Sequence, residues 1–437
     1  MNSLVFLHLS DIHFQRNAGK TFDPFADLRN ELELDLGSFS KEHLPGVTAI
    51  LITGDIAYSG HPDEYAFAFR WLENISKVLN LSSGEDVFVI PGNHDIHRDT
   101  VRNSPTIQGY HANLRTPGKD PNESLVAYLE KDEEAKRIIY KPLQNYNDFA
   151  AKYQCNVSAE SPYWEHPFDL NDGSLLLVRG MNSTLISDEH DSDTAHKLVL
   201  GNHQLELFRQ DGVEYVALCH HPPQWLIDQD QAELLLTDRA CLQLFGHKHQ
   251  QRLNRFDDSI RLVAGAVHPE KREPNWQPRY NFLEIEVEGN AEARTMRVRV
   301  FPRVFDGTHF ISGIDAHLFK QFDLPLRPWA TTSDTAKRPV STAAKADEAT
   351  SNGGLSMRPG RRLTYRFLNL PYHARIKIVH QLDLVHPDDE GLRDSELYAR
   401  YFARAAEKGD LPKLWDLIDE QSESHEDNPF SKIEGAA

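Results

Sequence analysis

The sequence is short of cationic side chains, of cysteine and of long apolar runs, and each shortage narrows what the chain can do. Lys and Arg number 47 against 66 Asp and Glu, a formal net charge of −19. A broad nucleic-acid surface needs clustered Lys and Arg to meet phosphates, so a nucleic-acid partner is disfavoured, with only a local basic groove left open. The three cysteines, Cys155, Cys219 and Cys241, are too few and too odd in number for a disulfide framework and suit a reducing compartment. No apolar run approaches the roughly 20 residues that a membrane span requires. Met1-Asn2-Ser3 leads directly into a strand rather than a signal peptide, so the expectation is a cytoplasmic chain with no membrane segment. At 437 residues, 40% hydrophobic and 26% charged, the chain has material for one large globular domain and a smaller unit.

What the sequence does have is a set of strands that end in polar, metal-capable residues. Val87-Phe88-Val89-Ile90 breaks at Pro91-Gly92 into Gly92-Asn93-His94-Asp95. A β-branched and aromatic run stopping at Pro-Gly reads as a parallel strand and its turn, and ligands of open α/β sheets gather at such carboxyl ends. Leu4–Ser10 runs into Asp11-Ile12-His13, and Ala49–Thr53 into Gly54-Asp55. Tyr215–Cys219 ends at His220-His221-Pro222-Pro223, and Leu242–Phe245 at Gly246-His247-Lys248-His249. In an extended chain the middle residue of Asp11/His13 and of His247/His249 points away, which puts the outer two on one face, as metal ligands require.

The ordered set D-x-H, G-D, G-N-H-D, H-H-P and G-H-x-H resembles the calcineurin-like metallophosphoesterase superfamily over about the first three hundred residues. The resemblance implies an α/β fold, a four-layer α/β/β/α sandwich with two metals at the strand ends. By family correspondence Asp11, His13, Asp55 and His249 hold one metal, and Asp55, Asn93, His220 and His247 the other, with Asp55 bridging. His220 is preferred to His221 because it ends the strand two residues before Pro222. Carboxylates and imidazoles without thiolates suit two divalent or trivalent ions, Mn, Fe or Zn. Such a pair lowers the pKa of a bridging water and supplies hydroxide for in-line attack on a phosphoester. His94 then assists the leaving oxygen and Asp95 orients His94. Tyr58 stands where purple acid phosphatases place a metal-binding tyrosine, but His13 fills that coordination position here, leaving Tyr58 to packing or to supporting the ligands from behind. Cys219, on the opposite side of its strand from the ligand, reads as a core residue. The activity expected is that of a phosphodiesterase acting on a small or cyclic nucleotide; the alternatives are a metal-dependent nuclease and a non-catalytic scaffold of the same fold.

The rest of the chain divides as follows. Residues 1–329 form the metallophosphoesterase domain, with crossover helices carrying Phe25, Leu28, Leu32, Leu36, Phe39 and then Tyr65, Phe69, Leu72, Ile75, Leu79 on their buried faces. A helical insertion spans about 97–162, with His97 and Arg98 as its candidate substrate contacts, weighed against a solvent-facing role. Three alternating segments from Ile260 to Val300 read as antiparallel strands closing the second sheet. Residues 330–361, rich in Thr, Ser, Ala, Lys, Pro and Gly, read as a flexible linker. Residues 362–425 form a small all-α module without a metal or nucleophile constellation, and its His373, His380 and His386 read as surface residues. Residues 426–437 form an acidic, disordered tail. The module is expected to bind a protein partner or a second copy of the chain, leaving the phosphoester substrate to the first domain.

Overall fold

The computed structural model describes residues 3–81, 85–269, 276–315, 317–329 and 359–431. The segment read as a linker lies outside the described residues as far as residue 358, and the tail does so from residue 432.

The strands are β1 (Leu4–Leu9), β2 (Ala49–Ile52), β3 (Val87–Val89), β4 (Trp164–Asp169), β5 (Leu175–Gly180), β6 (Val213–Cys219), β7 (Ala240–Phe245), β8 (Arg252–Arg255), β9 (Ile260–Val263), β10 (Arg279–Asn290), β11 (Ala293–Phe305), β12 (Phe310–Ser312) and β13 (Lys320–Leu326). One sheet has the order β12-β11-β10-β1-β2-β3, with β13 on β11; the other has the order β4-β5-β6-β7-β9-β8. The strands whose ends carry the motifs, β1 to β3 and β6 to β7, pair in parallel within each sheet. Parallel pairing with crossover helices points all five tips the same way, and burial on both faces explains their near-continuous apolar sequences.

The sheets meet face to face. Phe168 of β4 lies edge-on to Phe6 of β1 at 5.0 Å, the Trp164 indole N–H donates to the Val89 carbonyl at 2.8 Å, and Cys241 of β7 meets Met296 of β11. Helices cover the outer faces. Helix α1 (Ala26–His43) buries Leu28, Leu32, Leu36 and Phe39, the last stacked on Phe282 of β10. Each such side chain contributes about 1.5–3 kcal/mol of burial. Helix α2 (Pro62–Val78) begins at a capping box, the His61 ring accepting a backbone N–H and the Glu64 carboxylate returning to the His61 N–H. On the other sheet, the helix Gln229–Arg239 is tied to β7 by the Gln243 amide donating to the Leu236 carbonyl. This is the four-layer sandwich.

Two features differ from the sequence reading. Strands β10 and β11 do not close the second sheet: β10 pairs antiparallel with β1 and so extends the first. Strand β9 runs parallel to β7 and antiparallel only to β8. Alternation of apolar and polar residues reports one buried face, not which neighbour supplies the hydrogen bonds. No helix among the described residues is long and apolar enough to cross a membrane.

The chain divides into two compact units, residues 1–146 with 157–339, and residues 147–156 with 340–437. The second holds the helices Pro359–Asn369, Tyr372–Gln381, Asp394–Glu407 and Leu411–Glu420. They close around Trp415, 1% exposed, with Phe367, Val379, Tyr398, Leu414 and Ile418. Ala151, from within the stretch read as the insertion, belongs to the same core, and Asp148 accepts from Ser395 at 2.9 Å and pairs with Arg393. Past the last helix, Phe430 packs against Trp415, and Glu426 pairs with Arg366 at 3.0 Å.

Candidate metal centre

Each candidate ligand sits one to four residues beyond a strand, and five of them, Asp11, His13, Asp55, His247 and His249, have φ between 52° and 69°. L-residues pay about 1–3 kcal/mol each for a left-handed conformation, and such strain collects where function over-determines the backbone. The extended spacing expected for the D-x-H and H-x-H pairs is therefore replaced by tight turns. Asp11 and His13 still converge, with His249, inside 4.8 Å. His247 and His249 part company, and His247 joins His220 and His221 instead. The first turn is held by the His13 and Ile12 N–H groups donating to the Asp55 carbonyl at 2.9 and 2.8 Å, and by the His268 ring against the Ile12 carbonyl.

The glycines of the motifs make room for these turns. A Cβ at Gly92 would lie 2.1 Å from Asp55 Oδ1 and 2.4 Å from the Asp55 nitrogen. At Gly54, with φ of +90°, it would lie 2.6 Å from the His220 ring. Neither position admits any other residue without moving a ligand.

Asp55, 1% exposed, occupies the middle. Its Oδ2 is 3.1 Å from His13 Nε2 and 3.3 Å from His220 Nε2, and its Oδ1 accepts the His94 N–H at 2.8 Å. Asn93 Oδ1 lies 3.2 Å from His220 Nε2 and 3.1 Å from His247 Nδ1. On the other side, His249 Nε2 is 3.3 Å from Asp11 Oδ1. The seven residues read as ligands thus come together around one carboxylate. His221 reaches the same cluster, its Nδ1 2.9 Å from Ser183 Oγ and its buried Nε2 without a hydrogen-bond partner.

Whether this set fits metal ions can be tested on its own donors. His220 Nδ1 is 2.7 Å from the Thr53 carbonyl, which only accepts, so the proton of a neutral ring sits there. The lone pair of Nε2 then points at two more acceptors, Asp55 Oδ2 and Asn93 Oδ1. Acceptors facing acceptors in a buried site call for a cation between them. Among the described residues, the two buried carboxylates Asp11 and Asp55 meet no Lys or Arg, only imidazoles, a hydroxyl and backbone N–H groups. All donors are N or O, the set that suits Mn, Fe or Zn. The residues fit.

The electrostatics agree. Burial pushes the Asp11 and Asp55 carboxyls up, but the facing imidazoles, His249 for Asp11 and His220 and His94 for Asp55, hold both below the usual carboxylate range. Burial pulls His220 down, and the charge of Asp55 overrides it and raises the ring to about 9, so that a proton on Nε2 answers these acceptors wherever a metal ion does not. His247 falls to about 3 and His94 to about 4, burial leading in both. Burial keeps Cys219 a neutral thiol at about 12, as befits the core residue it was read to be.

His94, expected to act on the leaving group, faces the cluster, its ring within 4.8 Å of the potential ligand atoms of His13 and Asp55. Asp95 does not orient it. The Asp95 carboxylate accepts from the Ile56, Ala57 and Gly92 N–H groups at 3.2, 2.9 and 2.9 Å and from the Tyr65 hydroxyl at 2.9 Å. A carboxylate with four donors on it is spent on the loop backbone, and adjacent side chains in a turn diverge. His94 is oriented instead by the Tyr58 carbonyl, 2.8 Å from its Nδ1. Burial, then the charge of Asp55, raises Asp95 to about 6. Trp225, whose ring centroid is 4.1 Å from that of His247, and Lys248, 4.8 Å from the indole, border the other end and were not found in the sequence. Trp225 follows the H-H-P-P run by two residues, the one signal available.

A family model described as calcineurin-like phosphoesterase matches residues 4–251, and one described as GTPase-associated adaptor domain matches residues 360–420. Among curated proteins, an uncharacterized metallophosphoesterase-like protein, YydB of Bacillus subtilis, is 28% identical over 286 residues, 60% of this chain and 53% of its own. The match thus spans about half the length of that relative. Solved structures similar to the chain include vacuolar protein sorting 29 from Cryptosporidium parvum, at 13% identity and a TM-score of 0.32 over 74% of this chain and 99% of that one. A putative 5'-nucleotidase from Staphylococcus aureus matches at 11% identity and a TM-score of 0.35, over 78% of this chain and 56% of that one.

Proposed function

Since the chain belongs to the calcineurin-like phosphoesterase family, we propose that it is a dinuclear metal-dependent phosphodiesterase whose substrate is a small or cyclic nucleotide. The observation that carries this reading is the convergence of His220 Nε2, Asp55 Oδ2 and Asn93 Oδ1, acceptors turned on one another beside a second, similar group at Asp11, His13 and His249. Asp11, His13, Asp55 and His249 would hold one ion, and Asp55, Asn93, His220 and His247 the other. Bound there, such ions supply Lewis acidity toward a phosphoryl oxygen and a water acidic enough to attack at neutral pH.

The side chains do the rest. The Thr53 carbonyl fixes His220, and Ser10 Oγ donates to Asp11 at 2.6 Å, which keeps both ligands in one orientation before substrate arrives. His94, its Nδ1 proton engaged by Tyr58, presents Nε2 toward the cluster. There, once Nε2 has also taken up a proton, it would hold the leaving oxygen, pass it that proton as the ester bond breaks, and regain one from solvent. The complete donor set and His94 argue for catalysis over a scaffold role, and the acidic balance of the chain argues for a small substrate over a nucleic acid. For the 360–420 segment we take the matching family's description as the guide: a partner-binding module, its partner a GTPase.

The test is a screen of cyclic nucleotides, single-stranded nucleic acid and bis(p-nitrophenyl) phosphate with Mn²⁺ added. Turnover of cyclic nucleotides above the other two supports the reading. Preference for nucleic acid replaces it with a nuclease, and no hydrolysis at all removes the enzyme.

A further inference from the structure

Arg98 follows the G-N-H-D turn by three residues and opens the short helix Arg98–Arg102. Its guanidinium makes no hydrogen bond or ion pair with any described residue, and its Nε is shut off from solvent without a partner. In a chain with 66 carboxylates an arginine so placed would ordinarily find one. Neighbouring cations do: Arg102, on the same helix, pairs with Asp99 at 2.7 Å and Glu189 at 2.6 Å, and Arg115 with Asp191 at 3.1 Å and Asp188. At the far end of the cluster, Lys248 is engaged by Trp225 and lies 3.8 Å from Asp193. Arg98 alone among these is left open, close enough to His94 for its charge to be felt at that ring.

A half-buried guanidinium with no counter-ion, next to a group that faces the reacting centre, is arranged for an anion that the free protein lacks. Its planar fork matches two oxygens of a phosphoryl group, and the buried stem limits the rotamers it must give up on binding. We propose that Arg98 is a substrate-binding residue that takes non-bridging oxygens of the scissile phosphoryl group on the His94 side of the cluster. This rests on the phosphoesterase reading above and adds to it the residue that would hold the phosphate independently of the metal ligands. The seven ligand candidates and His94 are untouched by the assignment, so a change at Arg98 should leave metal uptake as it is.

The experiment compares wild type, Arg98→Lys and Arg98→Ala, each loaded with Mn²⁺ and checked for metal content and melting temperature. Orthophosphate binding is measured by calorimetry, and kcat/KM on bis(p-nitrophenyl) phosphate and on a dinucleotide carrying a second phosphate. The expected result is equal metal content in all three, with phosphate affinity and kcat/KM on both substrates lowered about 10–100-fold in Arg98→Ala. Arg98→Lys, which keeps the charge and loses the fork, should fall between. Phosphate affinity within two-fold of wild type in Arg98→Ala overturns the assignment, as does wild type that binds no phosphate at millimolar concentration. A loss confined to the dinucleotide also overturns it, because Arg98 would then meet the second phosphate. Wild type that binds phosphate through Arg98 yet hydrolyses nothing keeps this assignment and removes the catalytic reading instead.

Discussion

His94 Nδ1 lies 2.8 Å from the backbone carbonyl oxygen of Tyr58, so a main-chain atom rather than a carboxylate fixes the imidazole tautomer. A carbonyl cannot stabilise a charged ring as a buried carboxylate would, and burial already pulls this ring down to about 4. His94 is therefore neutral in the free protein, and Nε2 must gain a proton, drawn by the charge of the bound phosphoester, before it can serve the leaving oxygen. The expected result for His94→Ala is unchanged metal content and a 10²–10⁴-fold loss of turnover, the range of acid–base assistance. On a nitrophenyl ester, whose leaving group hardly needs a proton, the loss should shrink. Equal losses on activated and unactivated esters would assign His94 to positioning the phosphate.

Asp95 should behave differently from its neighbour. Asp95→Asn turns an amide N–H₂ toward backbone N–H groups that now have a carboxylate. A loss of about 1–3 kcal/mol in stability is expected, the cost of leaving buried donors unsatisfied. Denaturant unfolding measures it. Stability equal to wild type with activity abolished would return Asp95 to the chemistry.

The motifs were legible because strand tips in parallel sheets gather chemistry, and five tips in order leave few other folds. Their local geometry was not. Nothing in Asp11-Ile12-His13 announces left-handed backbone, since only glycine advertises it, and hydrogen bonds from residues far along the chain impose it. Nor does adjacency in sequence tell whether Asp95 meets His94 or the loop. The buried faces of α1 and α2 could be read from spacing, whereas the pairing of β10 with β1 needs contacts nearly three hundred residues apart.

Residues 147–156 show the same limit, and they change what truncation should do. Their polar, loosely patterned sequence reads as insertion, but Ala151 sits in the core around Trp415. A chain ending near Ala330 lacks the helices of that core and leaves this segment unpacked. It is expected to melt several degrees lower than full length and to expose apolar surface to a dye such as ANS. An unchanged melting temperature would show that the segment folds without them.

Acid should weaken the helical unit through Asp389. The Arg404 guanidinium beside Asp389, outweighing the opposing effect of burial, holds this carboxyl down to about 2. A lowered folded-state pKa stabilises fully above the unfolded value near 3.8, and that stabilisation is lost as pH falls from there through about 2. Asp389→Asn should cost on the order of 1 kcal/mol at pH 6, with the gap to wild type closing between pH 4 and pH 2. Guanidinium titrations followed by tryptophan fluorescence read both. A gap constant with pH would mean that the ion pair contributes nothing.

Asp55 is expected to join two metal ions into one hydrolytic centre, which metal content read beside turnover, in wild type and Asp55→Ala, puts to the test. Wild type loaded with Mn²⁺ should carry two ions per chain and hydrolyse bis(p-nitrophenyl) phosphate. Asp55→Ala should lose most of the metal and all measurable hydrolysis while its circular dichroism stays that of wild type. Full activity in chelator-stripped protein, or in Asp55→Ala, would mean that hydrolysis needs no bridged pair of ions.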